Sequence, residues 1–191
     1  PLSDPLYETV EVHKEDFDGN LSYVINPSIS LPKSIIKKWY SSKKKMILVG
    51  VNAPESIKQS YLDIIGQDPS IVVLTETTSN IHHSNFFFSI DQLITPLDGT
   101  DFEALKPEIL LTFGGMIVSK RIKSFLRKYQ PQQHWHIDEL RAYDTFGSLT
   151  KHFEVPPNVF FHSFFSLTES IESDYNTANH NFKITIINYE S

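Results

Sequence analysis

The sequence predicts an α/β fold: a Rossmann-like parallel sheet of about five to six strands with helices on both faces. Three observations carry this reading. Short, uninterrupted apolar runs at residues 46–51, 70–75 and 109–113 have the continuous, branched character of strands buried on both faces. Two of these runs are followed by apolar residues at helical spacing, Ile57, Tyr61, Ile64 and Ile65 in one case and Val118, Ile122, Phe125, Leu126 and Tyr129 in the other. Proline and glycine punctuate the junctions. Strands alternating with helices imply a parallel sheet joined by right-handed crossovers.

In chain order, "PLSDPLYETVEV" reads as linker, with two prolines in its first five residues and acids after them. Pro32 then opens a helix whose buried side is Ile35, Ile36 and Trp39. The first strand, 46–51, leads to a helix starting at Pro54, with Gly66 as its stop. The second strand gives way to the polar loop "ETTSNIHHSN". The aromatic "FFFSIDQLI" fits a short strand or a helix, with helix favoured over 89–94. After the strand at 109–113, Gly114 and Gly115 precede a basic amphipathic helix. "QHWHID" is a short strand beyond Pro131. "KHFEV" is the last strand, and "NVFFHSFFSLTESI" a terminal helix separated from it by Pro156 and Pro157. The closing "NHNFKITIINYES" fits a strand and a helix equally.

Composition bounds the function. The 191 residues favour one generous domain, and a 40% hydrophobic content is that of an ordinary packed globule. A net charge of −6, from 17 basic and 23 acidic residues, disfavours nucleic-acid binding despite local basic clusters at Lys43–Lys45 and 120–128. The absence of cysteine removes disulfides, thiol nucleophiles and thiolate metal sites. No run approaches the roughly 20 apolar residues of a membrane helix, so a soluble, cytoplasmic protein is expected without membrane insertion.

Candidate chemistry is sparse. A dinucleotide fold needs a glycine-rich first turn, and "VGVNAPES" offers one glycine beside Val51 and Pro54. Glu76, at the end of the second strand, occupies the position of a ribose-binding acid. Gly114 and Gly115 stand between a strand and a helix, where backbone N–H groups and the helix dipole favour an anion, with Lys120 and Arg121 in the first turn. These four residues form a candidate anion site; the alternative is that the glycines serve a tight turn and the bases face water. His134 and His136 share one face of a strand and can chelate, whereas the adjacent His82 and His83 point apart; a third ligand at fixed spacing is missing. No G-x-S-x-G elbow occurs. The residues alone therefore describe an α/β domain without a visible active site.

"PLSDPLY", "TETTSNIHHSNFFFSIDQLI" and, most specifically, "LKPEILLTFGGMIVSKRIKSFLRKYQPQQHWHIDE" together resemble the central domain of the 2-succinyl-5-enolpyruvyl-6-hydroxy-3-cyclohexene-1-carboxylate synthases (the MenD family) of menaquinone biosynthesis, in their Bacteroidetes-like form. The resemblance implies a thiamine-diphosphate-dependent, Mg²⁺-requiring transferase built from three α/β domains. That enzyme decarboxylates 2-oxoglutarate and adds the succinyl unit to isochorismate. It implies residues 1–15 as an interdomain linker, 16–175 as the central Rossmann-like domain, and 176–191 as a segment leading towards another domain. The implied partners are the two thiamine-binding domains of the parent chain, which itself forms a homo-oligomer, dimer or tetramer. No G-D-G motif for the diphosphate and no match to the activating glutamate domain is found, so no catalytic, cofactor or metal residue carries over. The segment is expected to be inactive by itself. The alternatives are a regulatory domain binding an anion or other small molecule, and a nucleotide-binding oxidoreductase domain resting on fold analogy alone.

Overall fold

The computed structural model describes residues 28–178. The expected linker at 1–15 and most of the 176–191 segment lie outside them. Five strands form one parallel sheet: β1 (Lys45–Val49), β2 (Ile71–Thr75), β3 (Ile109–Phe113), β4 (Gln133–Ile137) and β5 (Leu149–Phe153), in the order β2-β1-β3-β4-β5. The α/β, parallel-sheet class is thus as the sequence implies.

Alternate residues of each strand feed opposite layers. One layer takes Ile47, Val49, Val73, Leu111, Trp135 and Phe153 and is covered by α1 (Lys33–Ser41), α2 (Gln59–Gln67) and α6 (Pro157–Phe165). Its centre is aromatic, with Trp39 and Trp135 rings 6.1 Å apart and Phe164 edge-on to Trp39 at 4.8 Å. The other layer takes Met46, Leu48, Val72, Leu74 and Leu110 and is covered by α3 (Ile90–Ile94), α4 (Gly99–Leu105) and α5 (Lys120–Lys128). The covering face changes where the order reverses, at β1, as a single crossover hand requires. Tyr175 closes the amino end of this layer, its hydroxyl donating to Leu105 O at 2.6 Å.

Several local expectations need correction. The helix after β1 begins at Gln59, not Pro54. Asn158 holds the preceding backbone extended, accepting from Lys58 N–H and donating to Ser56 O, and Glu55 sits at φ 55°. Ile64 is exposed, so the buried side is Tyr61, Leu62 and Ile65. Gly66 does not stop α2 but lies inside it, because a Cβ there would stand 2.2 Å from the His83 ring. Val118 is exposed and precedes α5, whose buried stripe is Ile122, Phe125 and Leu126. The last strand starts two residues ahead of "KHFEV", at Leu149, and ends at Phe153, and the terminal helix stops at Phe165. "FFFSIDQLI" contains both alternatives: Phe87 pairs with Leu74 at the edge of the sheet, and α3 follows from Ile90. Helix α4 was not expected; Asp98 caps it, accepting from Thr100 and Asp101 N–H.

Lys45 is the main departure from surface-like charge. It is fully buried on β1, donates to Ser70 Oγ at 2.6 Å, and lies 4.8 Å from the Trp39 ring centroid. Ser70 in turn donates to Asp68. Burial pulls the ammonium pKa from 10.5 down to about 8, against the opposing pull of Asp68 and Glu108.

Candidate functional site

In an open parallel sheet, ligands enter the crevice outside the carboxyl ends of the strands where strand order reverses. Here that point is between β1 and β3. The two strands stay paired beyond their ends: Gly50 N donates to Phe113 O at 2.9 Å and Gly115 N to Val51 O at 2.7 Å. Gly50 is needed because a Cβ would lie 2.0 Å from Gly115 O. Gly114 takes φ +80°, and its missing Cβ leaves room for the Asn52 amide, which donates to Gly50 O. The glycines close the crevice by bringing backbones together.

The amino end of α5 is filled from within the chain. The Glu76 carboxylate accepts from Val118 N at 2.8 Å and Ser119 N at 2.6 Å. Ser119 caps the helix by accepting from Ile122 N, and its hydroxyl donates to Asp91. Glu76, at the position of a ribose-binding acid, thus anchors the β2 connection to α5.

The four candidate anion-site residues are divided. Lys120 and Arg121 border an open depression of about 570 Å³ beside Glu76 and Asp91. Gly114 and Gly115 border a separate cavity of about 410 Å³, together with Lys123, His134, His136 and Arg141. The basic residues of α5 mostly face water: Lys120, Arg121, Arg127 and Lys128 are exposed, and Lys123 donates to Ile117 O.

The second cavity has an unexpected feature on its floor. His134 and His136 do share one face, but Thr112 of β3 stands between them, its Oγ1 2.9 Å from His134 Nε2 and 2.8 Å from His136 Nδ1. One hydroxyl proton cannot serve both rings. If Thr112 donates to one histidine, the other must donate to Thr112, so the two tautomers are coupled. His134 is buried, and its Nδ1 has no partner. Burial, helped by His136, pulls its pKa from 6.5 down to about 4. Burial also lowers His136, with Asp138 opposing and His152 assisting. For Asp138, burial acts upward, but N–H donation from Arg141 and Leu140, with His136 and His152 nearby, outweighs it and holds the carboxyl below its ordinary range. His152, opposite His136 on β5, places Nε2 2.8 Å from Asp138 O.

Among the described residues no three histidines or carboxylates are grouped as a metal site requires. His83 is instead a packing element, against Phe86 at 4.8 Å and 3.7 Å from Asp63, while His82 is exposed. Thr112, His152 and Arg141 were not singled out in the sequence. Residue period alone gives Thr112 an inward face, but only the β3–β4 register puts it against His134 and His136.

No family model matches the chain. Curated proteins named 2-succinyl-5-enolpyruvyl-6-hydroxy-3-cyclohexene-1-carboxylate synthase do. The one from Flavobacterium psychrophilum is 53% identical over 180 residues, covering 92% of this chain and 32% of the relative. The one from Flavobacterium johnsoniae is 54% identical over 178 residues, again 92% and 32%. That of Christiangramia forsetii is 45% identical over 168 residues, 79% of this chain and 27% of its own. The chain therefore spans about a third of the length of the curated relatives it matches.

Proposed function

Since the chain belongs to the 2-succinyl-5-enolpyruvyl-6-hydroxy-3-cyclohexene-1-carboxylate synthase family, we propose that it is the central scaffold domain of such an enzyme and is catalytically silent by itself. The parent is a cytoplasmic, homo-oligomeric transferase of menaquinone biosynthesis, dimer or tetramer. It decarboxylates 2-oxoglutarate and adds the succinyl unit to isochorismate. In the parent, thiamine diphosphate would supply the electron sink for that chemistry and Mg²⁺ would anchor its diphosphate, both held by the two flanking thiamine-binding domains.

The observation that carries this reading is the closed switch point. The place where this architecture takes its ligand is filled by backbone, with Gly50 against Gly115 O. The same closure weighs against a nucleotide-binding oxidoreductase. The residues at the carboxyl edge also do not fit thiamine diphosphate with Mg²⁺. A diphosphate needs free backbone donors at a helix start, and those before α5 are taken by Glu76. The cation needs convergent oxygen ligands, and Asp138 uses Oδ1 to accept from two N–H groups. Calorimetry with thiamine diphosphate and Mg²⁺ tests the assignment: no heat with the isolated chain, saturable heat with the intact protein. Saturable binding by the isolated chain would refute it.

A second reading, regulatory binding of an anion or other small molecule, is favoured by the cavity beside Gly114 and Gly115, which Lys123, His134 and Arg141 line together. It replaces the sequence-level grouping with Lys120 and Arg121, which lie in the other depression. Titration with phosphate and small carboxylates checks it, and silence across both removes it.

A further inference from the structure

The carboxyl edge of the sheet carries most of the exposed large hydrophobic side chains among the described residues. Of nine exposed large hydrophobic side chains among the described residues, six stand on the connections leaving β1 to β4: Val51, Phe88, Met116, Val118, Leu140 and Tyr143. Leu140 is 86% exposed, Met116 71% and Tyr143 67%. Isolated exposed apolar residues are ordinary, whereas exposed apolar side chains concentrated at one end of a sheet have the composition of an interaction surface.

The backbone beneath this surface is fixed. Val51 O accepts from Gly115 N, Val118 N donates to Glu76, and Leu140 N donates to Asp138 Oδ1. Three of the six side chains are thus displayed from hydrogen-bonded positions, so covering them requires little further ordering. Exposed Lys120, Arg121, Glu139 and Arg141 lie among them. A mixed apolar and charged surface matches interfaces between domains of one chain, which are smaller and more polar than obligate oligomer interfaces.

We propose that this edge is the docking face for a neighbouring domain of the same polypeptide. The proposal rests on the reading of the chain as one domain of a longer synthase, whose occupant is at hand: the match covers 32% of the Flavobacterium psychrophilum relative, leaving the larger part of such a protein to supply it. A tethered domain acts at a local concentration on the order of millimolar, so an interrupted patch suffices. A free second copy would need roughly 1,200–2,000 Å² of total buried surface.

Hydroxyl-radical labelling of Met116, Leu140 and Tyr143, read by mass spectrometry in the intact polypeptide and in the 191-residue chain, tests this. Labelling at all three should fall several-fold in the intact protein, while Tyr40 and Leu167, near the opposite end of the sheet, stay unchanged. Equal labelling in an intact protein whose mass shows additional domains overturns the docking face and leaves the domain reading standing. An intact polypeptide no longer than this chain overturns both. Protection that rises with concentration in the isolated chain overturns the face by assigning it to a second copy. As an independent arm, Leu140→Asp should lower the Tm of the intact protein by several degrees and leave that of the isolated chain unchanged; an equal effect on both contradicts the proposal.

Discussion

Gly50→Ala is the sharpest perturbation of the closed switch point. An added Cβ would stand 2.0 Å from Gly115 O, whereas real Cβ contacts stay beyond 3.0 Å, so the two backbones must separate by at least 3.0 − 2.0 = 1.0 Å. The hydrogen bonds that bind them are Gly50 N to Phe113 O at 2.9 Å and Gly115 N to Val51 O at 2.7 Å. Stretching both by that amount takes them past bonding distance. Each lost bond that leaves a shielded group unpaired costs about 1–2 kcal/mol, roughly 2–4 kcal/mol together. The reduced entropy of the unfolded alanine chain returns about 0.4–1 kcal/mol. A net loss of about 2–3 kcal/mol follows, and with a urea m-value of about 1–3 kcal/mol/M the midpoint should fall by roughly 1–2 M at unchanged slope. Gly99→Ala, which meets open space, serves as the control and should stay within about 0.5 kcal/mol of the parent. If Gly50→Ala unfolds within about 0.5 kcal/mol of wild type, the strands part freely and the crevice is not closed by packing.

Three further outcomes follow from two buried titratable groups and from Glu55, one of the two non-glycine residues with positive φ among the described residues. His134 has its folded pKa at about 4 against 6.5, so the unfolded chain binds more protons between these values and stability falls as pH drops through them. The loss amounts to about 3 kcal/mol by pH 4, and His134→Gln should flatten that limb of a chemical-denaturation pH profile; an unchanged slope would show that His134 is not the group responsible. Lys45 is likewise depressed, from 10.5 to about 8, so stability should rise as pH climbs through that window and Lys45→Met should abolish the rise; persistence of the rise in the variant would exclude Lys45 as its source. Glu55 sits at φ 55°, so Glu55→Gly should stabilise by about 0.5–1 kcal/mol in thermal unfolding while Glu55→Ala stays near neutral; equal effects would show no relief of backbone strain.

What the sequence discloses and what it hides divide along physical lines. Strand β3 is legible to the residue because five consecutive buried positions need no long-range information. The middle of the α5 stripe, Ile122, Phe125 and Leu126, also reads from its period, whereas Val118 falls before the helix and is exposed. Gly66 misleads because a glycine near a helix end has two causes, a stop or a close neighbour, and the neighbour, His83, comes from a loop seventeen residues on. Lys45 is hidden within a run of three lysines of which Lys43 is exposed and Lys44 half-buried; only pairing with β2, which Ser70 precedes, encloses it. The Gly114–Gly115 pair is visible as a strand-to-helix junction, but its role as a closure depends on Gly50 and Val51, more than sixty residues earlier. Asp98 does offer a local signal for α4, an acid followed three residues later by Asp101, the pattern of a capping box.

The domain is proposed to position the chemistry of a longer enzyme and to perform none. Turnover of 2-oxoglutarate, followed as carbon dioxide release with thiamine diphosphate and Mg²⁺ present, tests it most directly when run side by side on the 191-residue chain and on the intact polypeptide. Release by the intact protein and a blank rate for the isolated chain are expected. Sustained release by the isolated chain would contradict it.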